Sequence, residues 1–467
     1  MYPSRLLYPD SFRDELRATL ALALPIVVVQ VGMMAMGVVD TIMVGHVNAT
    51  SLAAVAVGNL YFFSLAVFGI GTLMALDPIV AQAVGAGADI AVSRAMQRGL
   101  LLAVALSAAV SALLWPGEPL LAYLRQPEDV IPVAAEYARV SIVGVFPLLA
   151  FVVLRQSLQA MGRMTPILIT VITANILNAL LNWVLIYGNL GSPALGAVGS
   201  AWSTAISRWL LVIMLMTMGW HEIGKHVKTP RREVFSSGPL WRMLVLGVPI
   251  GFQHQLEYGV FAVVAVLMGQ LGTTQVAAHQ VAINLASLTF MVPLGISAAA
   301  AVRAGHAVGR GDPEQAARSA WASLAFGGAF MLLSAFAFII APGVLARIYT
   351  SDGAVLALAI SLIPIAGVFQ VFDGLQAVAA GVLRGMGDTR VPLYANLIGF
   401  WLVGMPVSLL LGFTAGTGPT GLWWGLVVGL AVVALFLVVR VRSRLAAPLT
   451  RVRIDDVVLG IGIGIRD

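Results

Sequence analysis

Apolar runs of about 20 residues, the length a helix needs to cross a hydrocarbon core of roughly 30 Å, recur along the whole of this chain. No other feature restricts the fold as strongly. Each run must either be buried in protein or face lipid, and there are too many of them for burial alone. Only 10% of the residues are charged and 60% are apolar, whereas a soluble domain is about 25% charged. So few charges cannot cover the surface of 467 residues, so lipid must cover much of it.

Polar, glycine and proline breaks divide the runs into twelve candidate spans, at 17–44, 52–79, 92–115, 132–158, 166–187, 194–220, 240–270, 275–303, 315–340, 354–382, 389–415 and 419–442. The polar stretch Asp10 to Arg17 precedes an apolar segment longer than a signal-peptide core, so a retained first helix is expected.

The basic residues test this count. With the N-terminus inside, cytoplasmic segments hold Arg5, Arg13, Arg17, Arg94, Arg98, Arg155 and Arg163, then Lys225, Lys228, Arg231, Arg232 and Arg242. Arg303, Arg310, Arg318, Arg384 and Arg390 follow, and the tail adds Arg440, Arg442, Arg444, Arg451 and Arg453. The opposite loops offer Arg125 and Arg347. An error of one helix would scramble this alternation, and the positive-inside rule sets both termini in the cytoplasm. Arg139 and Arg208 fall within spans, near their ends or facing the bundle interior. The net charge of +6 therefore reports orientation, and no nucleic-acid partner is expected. With no cysteine, disulfides and thiolate metal sites are excluded.

The chain also matches itself at an offset of 224 residues. Leu24-Pro25-Ile26 falls on Val248-Pro249-Ile250, Gly71 on Gly295, and Val84-Gly85-Ala86-Gly87 on Val308-Gly309-Arg310-Gly311. With small gaps, Gly144-Val145-Phe146 meets Gly367-Val368-Phe369 and Met161-Gly162 meets Met386-Gly387. The fold expected is an all-α integral membrane protein with twelve transmembrane helices in two pseudo-symmetric six-helix bundles. A first lobe would occupy 1–220, a cytoplasmic linker 221–240, a second lobe 241–442 and a cytoplasmic tail 443–467. Six is an even number, so both copies enter the bilayer in the same sense. Parallel repeats of this kind rock against one another in alternating-access transporters.

Ionisable groups inside the membrane cost at least about 2.5 kcal/mol on insertion scales, so each needs a reason. Asp40 lies in the first span, Glu257 in the seventh and Asp373 in the tenth. No intramembrane lysine stands near to neutralise them, and a carboxylate without a fixed cation can take up a proton or a sodium ion. Asn175, Asn178 and Asn182 share one face of the fifth span. Thr204 and Gln280 add hydrogen-bonding oxygens. The alternative role for the amides is helix–helix adhesion. Pro25 and Pro249, at equivalent repeat positions, serve either as packing kinks or as hinges. Asp77-Pro78 reads as a helix-end feature, His46, His221 and His226 as solvated loop residues, and His254 and His279 as flanking the second-half site.

At PIVVVQVGMMAMGVVDTIMVGHV, VAAHQVAINLASL and VFDGLQAVAAGVLRGMGDTRVP, and in the doubled VGxG, the sequence resembles the multidrug and toxic compound extrusion (MATE) family, in its NorM-type bacterial branch. The resemblance covers roughly residues 15–440. It implies a multi-pass protein of the bacterial inner membrane, acting as a monomer, that exports amphipathic cationic compounds and contributes to antibiotic resistance. The coupling ion would be sodium rather than a proton, with no other cofactor. By the resemblance, Asp40, Asn178, Asn182 and Thr204 form a first-lobe coupling site, while Glu257 and Asp373 bind the cation, a candidate Na+, in the second lobe. Gln280, Glu257, Asp373, Phe369 and Asp352 would contact substrate. Some relatives carry Tyr at the position of Phe369 and Asp at that of Asn182. The runner-up is a lipid-linked oligosaccharide flippase of the wider superfamily, which would need several cavity cations where only Arg139 and Arg208 lie within spans. An enzyme is not expected, because the sequence holds no metal-ligand cluster or nucleophile–base pair.

Overall fold

The computed structural model describes residues 11–124, 126–229 and 232–455. Arg5, Arg125 and Arg231, and the ends of the expected first lobe and tail, lie outside them. Among the described residues, twelve helices are long and apolar enough to cross a membrane. They are α1 (Phe12–Gly45), α2 (Ala49–Gly85), α3 (Asp89–Leu114), α4 (Ile131–Ala160), α5 (Met164–Tyr187) and α6 (Gly196–Met218), then α7 (Ser237–Leu271), α8 (Thr273–Arg310), α9 (Pro313–Ile340), α10 (Gly353–Gly385), α11 (Arg390–Thr414) and α12 (Pro419–Leu445). Among the described residues there is no β-strand.

Local chemistry starts these helices where the sequence changes character. Ser11, Asn48, Asp312 and Asp352 each accept a hydrogen bond from the backbone N–H three residues on, satisfying a donor that the first turn leaves free. Helices α1 and α7 run unbroken through Pro25 and Pro249. Helix α2 turns at Met74–Ala75 before resuming at Leu76. Helix α11 contains two π-helical stretches, Leu397–Gly404 and Leu410–Thr414, a departure often found at functional sites. Leu332, Leu333 and Phe336 of α9 are largely exposed, as lipid-facing residues should be.

By the repeat the spans fall into two groups, α1–α6 and α7–α12, which also meet extensively through α1 and α2 on one side and α7 and α8 on the other. Contacts between the groups come in symmetric pairs. A Cβ on Gly85 would lie 2.3 Å from the His306 carbonyl oxygen, and one on Gly309 would lie 2.2 Å from that of Gln82. Gly71 meets Gly251 in the same way that Gly295 meets Val27. Gln82 Nε2 donates to Gly385 O at 2.9 Å, while His306 Nε2 lies 2.7 Å from Ala160 O. In the two glycine pairs each residue and its partner exchange places at the 224-residue offset. This is the signature of an isologous contact about a pseudo-two-fold axis. The doubled VGxG is therefore a seam in which the missing Cβ atoms let the two backbones touch.

These contacts run from mid-span to the end that carries the basic residues. Two ion pairs add to them, Arg384 Nε–Asp77 Oδ2 at 2.8 Å and Arg303 Nε–Glu15 Oε1 at 2.5 Å. Asp77, expected as a helix-end feature, is instead 1% exposed and joins α2 to α10 across the seam. Beneath α3, the short helix Trp220–Val227 is held by Gln97, which donates to His226 O and Thr229 O at 2.7 and 2.9 Å. His226, expected in solvent, is buried with its Nδ1 2.8 Å from Ser93 Oγ, because this linker helix docks rather than floats. His46 and His221 are exposed. The tail returns under both groups: Asp455 pairs with Arg98 at 2.7 Å, Arg242 donates to Ile454 O, and Val452 N donates to Gln82 Oε1.

Candidate functional site

Asp40 stands in the last turns of α1, only 6% exposed, and its neighbours hydrogen-bond both of its oxygens. Asn182 Nδ2 donates to Oδ1 at 2.6 Å and Thr204 Oγ1 donates to Oδ2 at 2.6 Å. Asn182 also donates to Asn178 Oδ1 at 3.3 Å. The four-residue spacing of the two amides puts them on one face of α5, and both are fully buried. Asn175, on the same run, bonds back to Val171 O in its own helix and takes no part. Asp40 keeps no ion pair within bonding distance among the described residues. Arg208 and Tyr137 interact with it electrostatically at longer range.

Around this carboxylate lies a cavity of about 420 Å³, within the size range of drug-sized ligand sites. Asp40, Thr204, Arg208, Arg155 and Gln30 give it polar points, and Met33, Met34, Met36 and Phe63 give it adaptable apolar walls. From the second group only Met291 and Leu294 reach it. Arg155 is engaged, donating from Nη1 to Gln30 Oε1 at 2.9 Å.

The second cluster is separate, and neither Glu257 nor Asp373 lines that cavity. These two carboxylates lie close enough to repel one another. Gln376 and Asn396 present their side chains to Glu257. Gln376 stands one turn beyond Asp373 on α10, and Asn396 ends the α-helical turn of α11 just before its first π stretch. Asp373, Gln376 and Asn396 are almost wholly buried. Gln376 Oε1 and both Nδ2 and Oδ1 of Asn396 have no hydrogen-bond partner. The two carboxylates and the unsatisfied amide groups beside them include oxygens of the kind a hard cation takes.

Two stretches of the chain, residues 25–184 and 249–410, each match the profile of the family described as MatE. Their starts stand at the same offset that aligns the internal repeat. Over 458 residues the chain is 39% identical to a protein named Probable multidrug resistance protein NorM from Mesorhizobium japonicum, covering 94% of this chain and 96% of that one. The chain belongs to the MATE family. Its NorM-type character rests on further relatives of the same kind. A probable NorM from Rhizobium meliloti is 37% identical, covering 92% of this chain and 93% of that one. The multidrug resistance protein MdtK of Yersinia pseudotuberculosis is 35% identical, covering 92% and 95%. The fold matches the crystal structure of the eukaryotic MATE transporter AtDTX14 at a TM-score of 0.85, with 24% identity over 93% of this chain and 96% of that one.

Within this MATE chain, not every residue expected at a site is brought to one. Asp40, Asn178, Asn182 and Thr204 meet, and so do Glu257 and Asp373. Phe369 lies one turn before Asp373, but its ring is 1% exposed, packed edge-on against Phe261 and Trp423 at 6.0 and 5.7 Å. It therefore offers no open face for a cation–π contact. Asp352 is the exposed cap of α10, roughly 30 Å along that helix from Asp373. Gln280 is exposed and pairs with Asn284 at 3.1 Å. His279 is buried beside Trp423, with ring centroids 5.6 Å apart, and His254 Nε2 has no partner.

Sequence reasoning passed over Gln376, Asn396, Gln30 and Tyr137, and assigned Arg155 to a cytoplasmic segment. The signal for Gln376 was available, since it follows Asp373 by three residues. The others became visible only when distant helices met.

Proposed function

We propose that this chain is a multidrug efflux antiporter that exports amphipathic cationic compounds in exchange for a cation, sodium rather than a proton, by alternating access. The basic end would face the cytoplasm of a bacterium, with both termini there, in the inner membrane. The observation that carries this reading is the pairing of two features. A two-fold-related seam closes the basic end, and buried carboxylates without close ion-pair partners stand in each lobe above it. A seam of this kind can part and re-form without either lobe unfolding. A carboxylate that is satisfied by amides and hydroxyls in one state can take a cation in the next. The names of the NorM and MdtK relatives support the export of drugs.

Sodium is favoured by the second cluster, where Glu257, Asp373, Gln376 Oε1 and Asn396 Oδ1 supply oxygen donors and no nitrogen ligand is required. In the first lobe Asp40 would gain or lose a proton or cation, while Asn182 and Thr204 hold its two oxygens in place. Competition between substrate and coupling ion for these carboxylates makes the exchange obligatory without covalent chemistry.

The test is transport of ethidium in proteoliposomes with sodium and proton gradients imposed separately. Efflux driven by a sodium gradient alone, and abolished in Glu257→Gln and Asp373→Asn, is the expected result. Efflux driven by protons alone would overturn the sodium assignment, and efflux unaffected by both substitutions would remove the second cluster from coupling.

A further inference from the structure

Of the two arginines lining the first-lobe cavity, neither of which the export of cations uses, Arg208 is the one that makes no hydrogen bond among the described residues. It lies in α6, one turn beyond Thr204 on the same face, only 8% exposed. Its guanidinium stands 4.3 Å from the centroid of the Phe62 ring. No hydrogen bond or ion pair to it exists among the described residues. The fold makes room for it: a Cβ on Gly144 would come within 3.1 Å of both Arg208 Cδ and Nη1. A guanidinium has five N–H donors in a rigid fork matched to carboxylates. The aromatic ring satisfies its face but none of those donors.

A buried charge left unpaired is strongly unfavourable, and an intramembrane arginine marks a ligand or ion pathway by default. Asp40 is not its close partner: no bond joins the two among the described residues, and Asn182 and Thr204 hold one lone pair on each Asp40 oxygen at 2.6 Å, which leaves the others for a ligand's amine. Arg155 differs, because Gln30 already engages it. The cavity thus presents two arginines against one aspartate. That balance leaves a place for an anion beside the cation that Asp40 can meet.

We infer that Arg208 is an anion-binding subsite of the first-lobe cavity, and that this cavity selects amphipathic zwitterions, in which a carboxylate docks on the Arg208 fork while an amine faces Asp40. The inference deepens the export reading and rests on it for the direction of transport, but the binding event stands independently. Thr204 and Arg208 are separated by four residues, roughly 6 Å along the helix. Both charges of one ligand can therefore be met from one face of α6. The methionine and Phe63 walls take the body of the ligand and set no strict shape.

The test uses rhodamine B, which carries a carboxylate and a cationic xanthene, beside its ethyl ester, which keeps the cation and loses the anion. Equilibrium binding is read by fluorescence anisotropy on the full chain in nanodiscs at pH 7.5, corrected against empty nanodiscs. The wild type should bind the acid about tenfold or more tightly than the ester, as expected when one partner of a buried charge-assisted hydrogen bond is removed. Arg208→Gln should collapse that ratio towards unity, and Arg208→Lys should retain part of it. Arg139→Gln, at an arginine exposed on the opposite face and paired with Glu118, should leave the ratio as in the wild type.

A wild type that binds the ester as tightly as the acid overturns the inference with no variant needed. So does an Arg208→Gln protein that weakens both dyes equally, since that would mean Arg208 acts only as a structural counter-charge. Dye movement in proteoliposomes is scored separately. Failure to move either dye against a gradient would sink the export reading, while the equilibrium ratio decides the subsite.

Discussion

Replacing Gly85 with alanine should open the basic end of this transporter. The added Cβ would lie 2.3 Å from the His306 carbonyl oxygen, 2.8 Å from its Cα and 2.9 Å from its carbonyl carbon. All three are backbone atoms on α8, so no side chain can rotate away. Contact without overlap needs about 3.5 Å, so the two helices must part by about 1 Å. Overpacking of this kind costs about 1–3 kcal/mol. Because only the closed seam feels it, the full cost falls on one side of the conformational equilibrium, a shift of about 5- to 150-fold. Gly309→Ala, which meets the Gln82 carbonyl at 2.2 Å, should act in the same direction. The double variant should shift the equilibrium by less than the product of the two, since the first substitution already separates the backbones that the second would strike.

The chain contains no cysteine, so Ile90→Cys and Glu314→Cys can carry spin labels on exposed positions at the basic ends of the two lobes without further changes. Pulsed dipolar spectroscopy in nanodiscs should show a longer-distance population that grows in Gly85→Ala and Gly309→Ala. Gly238→Ala, at the same end but with nothing within 4 Å of the new Cβ, is the control. Distance distributions identical to the parent in both seam variants would refute the argument that the repeated VGxG closes this face.

Three further outcomes follow from the geometry. Arg384→Met leaves Asp77 buried and unpaired, a loss of about 3–5 kcal/mol; thermal unfolding in detergent should show it, and adding Asp77→Leu should recover part of it, whereas additive losses would deny the coupling. Thr204→Val removes one of the Asp40 donors, worth about 1.5–3 kcal/mol to a charged acceptor, so dye efflux should fall about tenfold or more and return in Thr204→Ser; a Val variant as active as the parent counts against the site. Burial beneath α3 holds the His226 imidazole below its ordinary value of 6.5, with Lys225 acting the same way and Asp89 and Glu222 opposing. The unfolded linker therefore takes up a proton first, so docking of Trp220–Val227 is fully present above pH 6.5 and weakens as pH falls below it. Hydrogen exchange of this helix should accelerate on acidification in the parent but not in His226→Gln, and a pH-independent parent would contradict the burial argument.

The spans were legible because hydropathy is a one-dimensional property: α5 begins and ends within two residues of the stretch expected at 166–187. The Asp40 cluster was legible for a related reason. An in-span carboxylate is rare, and a four-residue amide spacing declares its own helical face. Phe369 went astray because periodicity says which residues share a face, not what that face meets. Here it meets Phe261 and Trp423, contributed by helices more than 50 residues away in either direction. Asn396 gave no local sign at all, since its importance comes from Glu257, which reaches it from α7.

The symmetry itself explains why chemistry and scaffold separated so cleanly. A pseudo-two-fold seam requires equivalent residues only where the two copies touch each other, which is where Gly71, Gly85, Gly295 and Gly309 recur. Even there, equivalent positions need only do equivalent work: Gln82 and His306 differ in type, yet each approaches a backbone carbonyl at the basic end of the other lobe. Away from the seam no such demand exists. Asp40 has Val264 as its repeat counterpart, so one lobe could keep a carboxylate under amides while the other assembled Glu257 and Asp373 from different helices. Under the proposed antiport, two unlike sites on one symmetric seam would let a single rocking motion sense two ligands, which is the least that an exchange of substrate for ion requires.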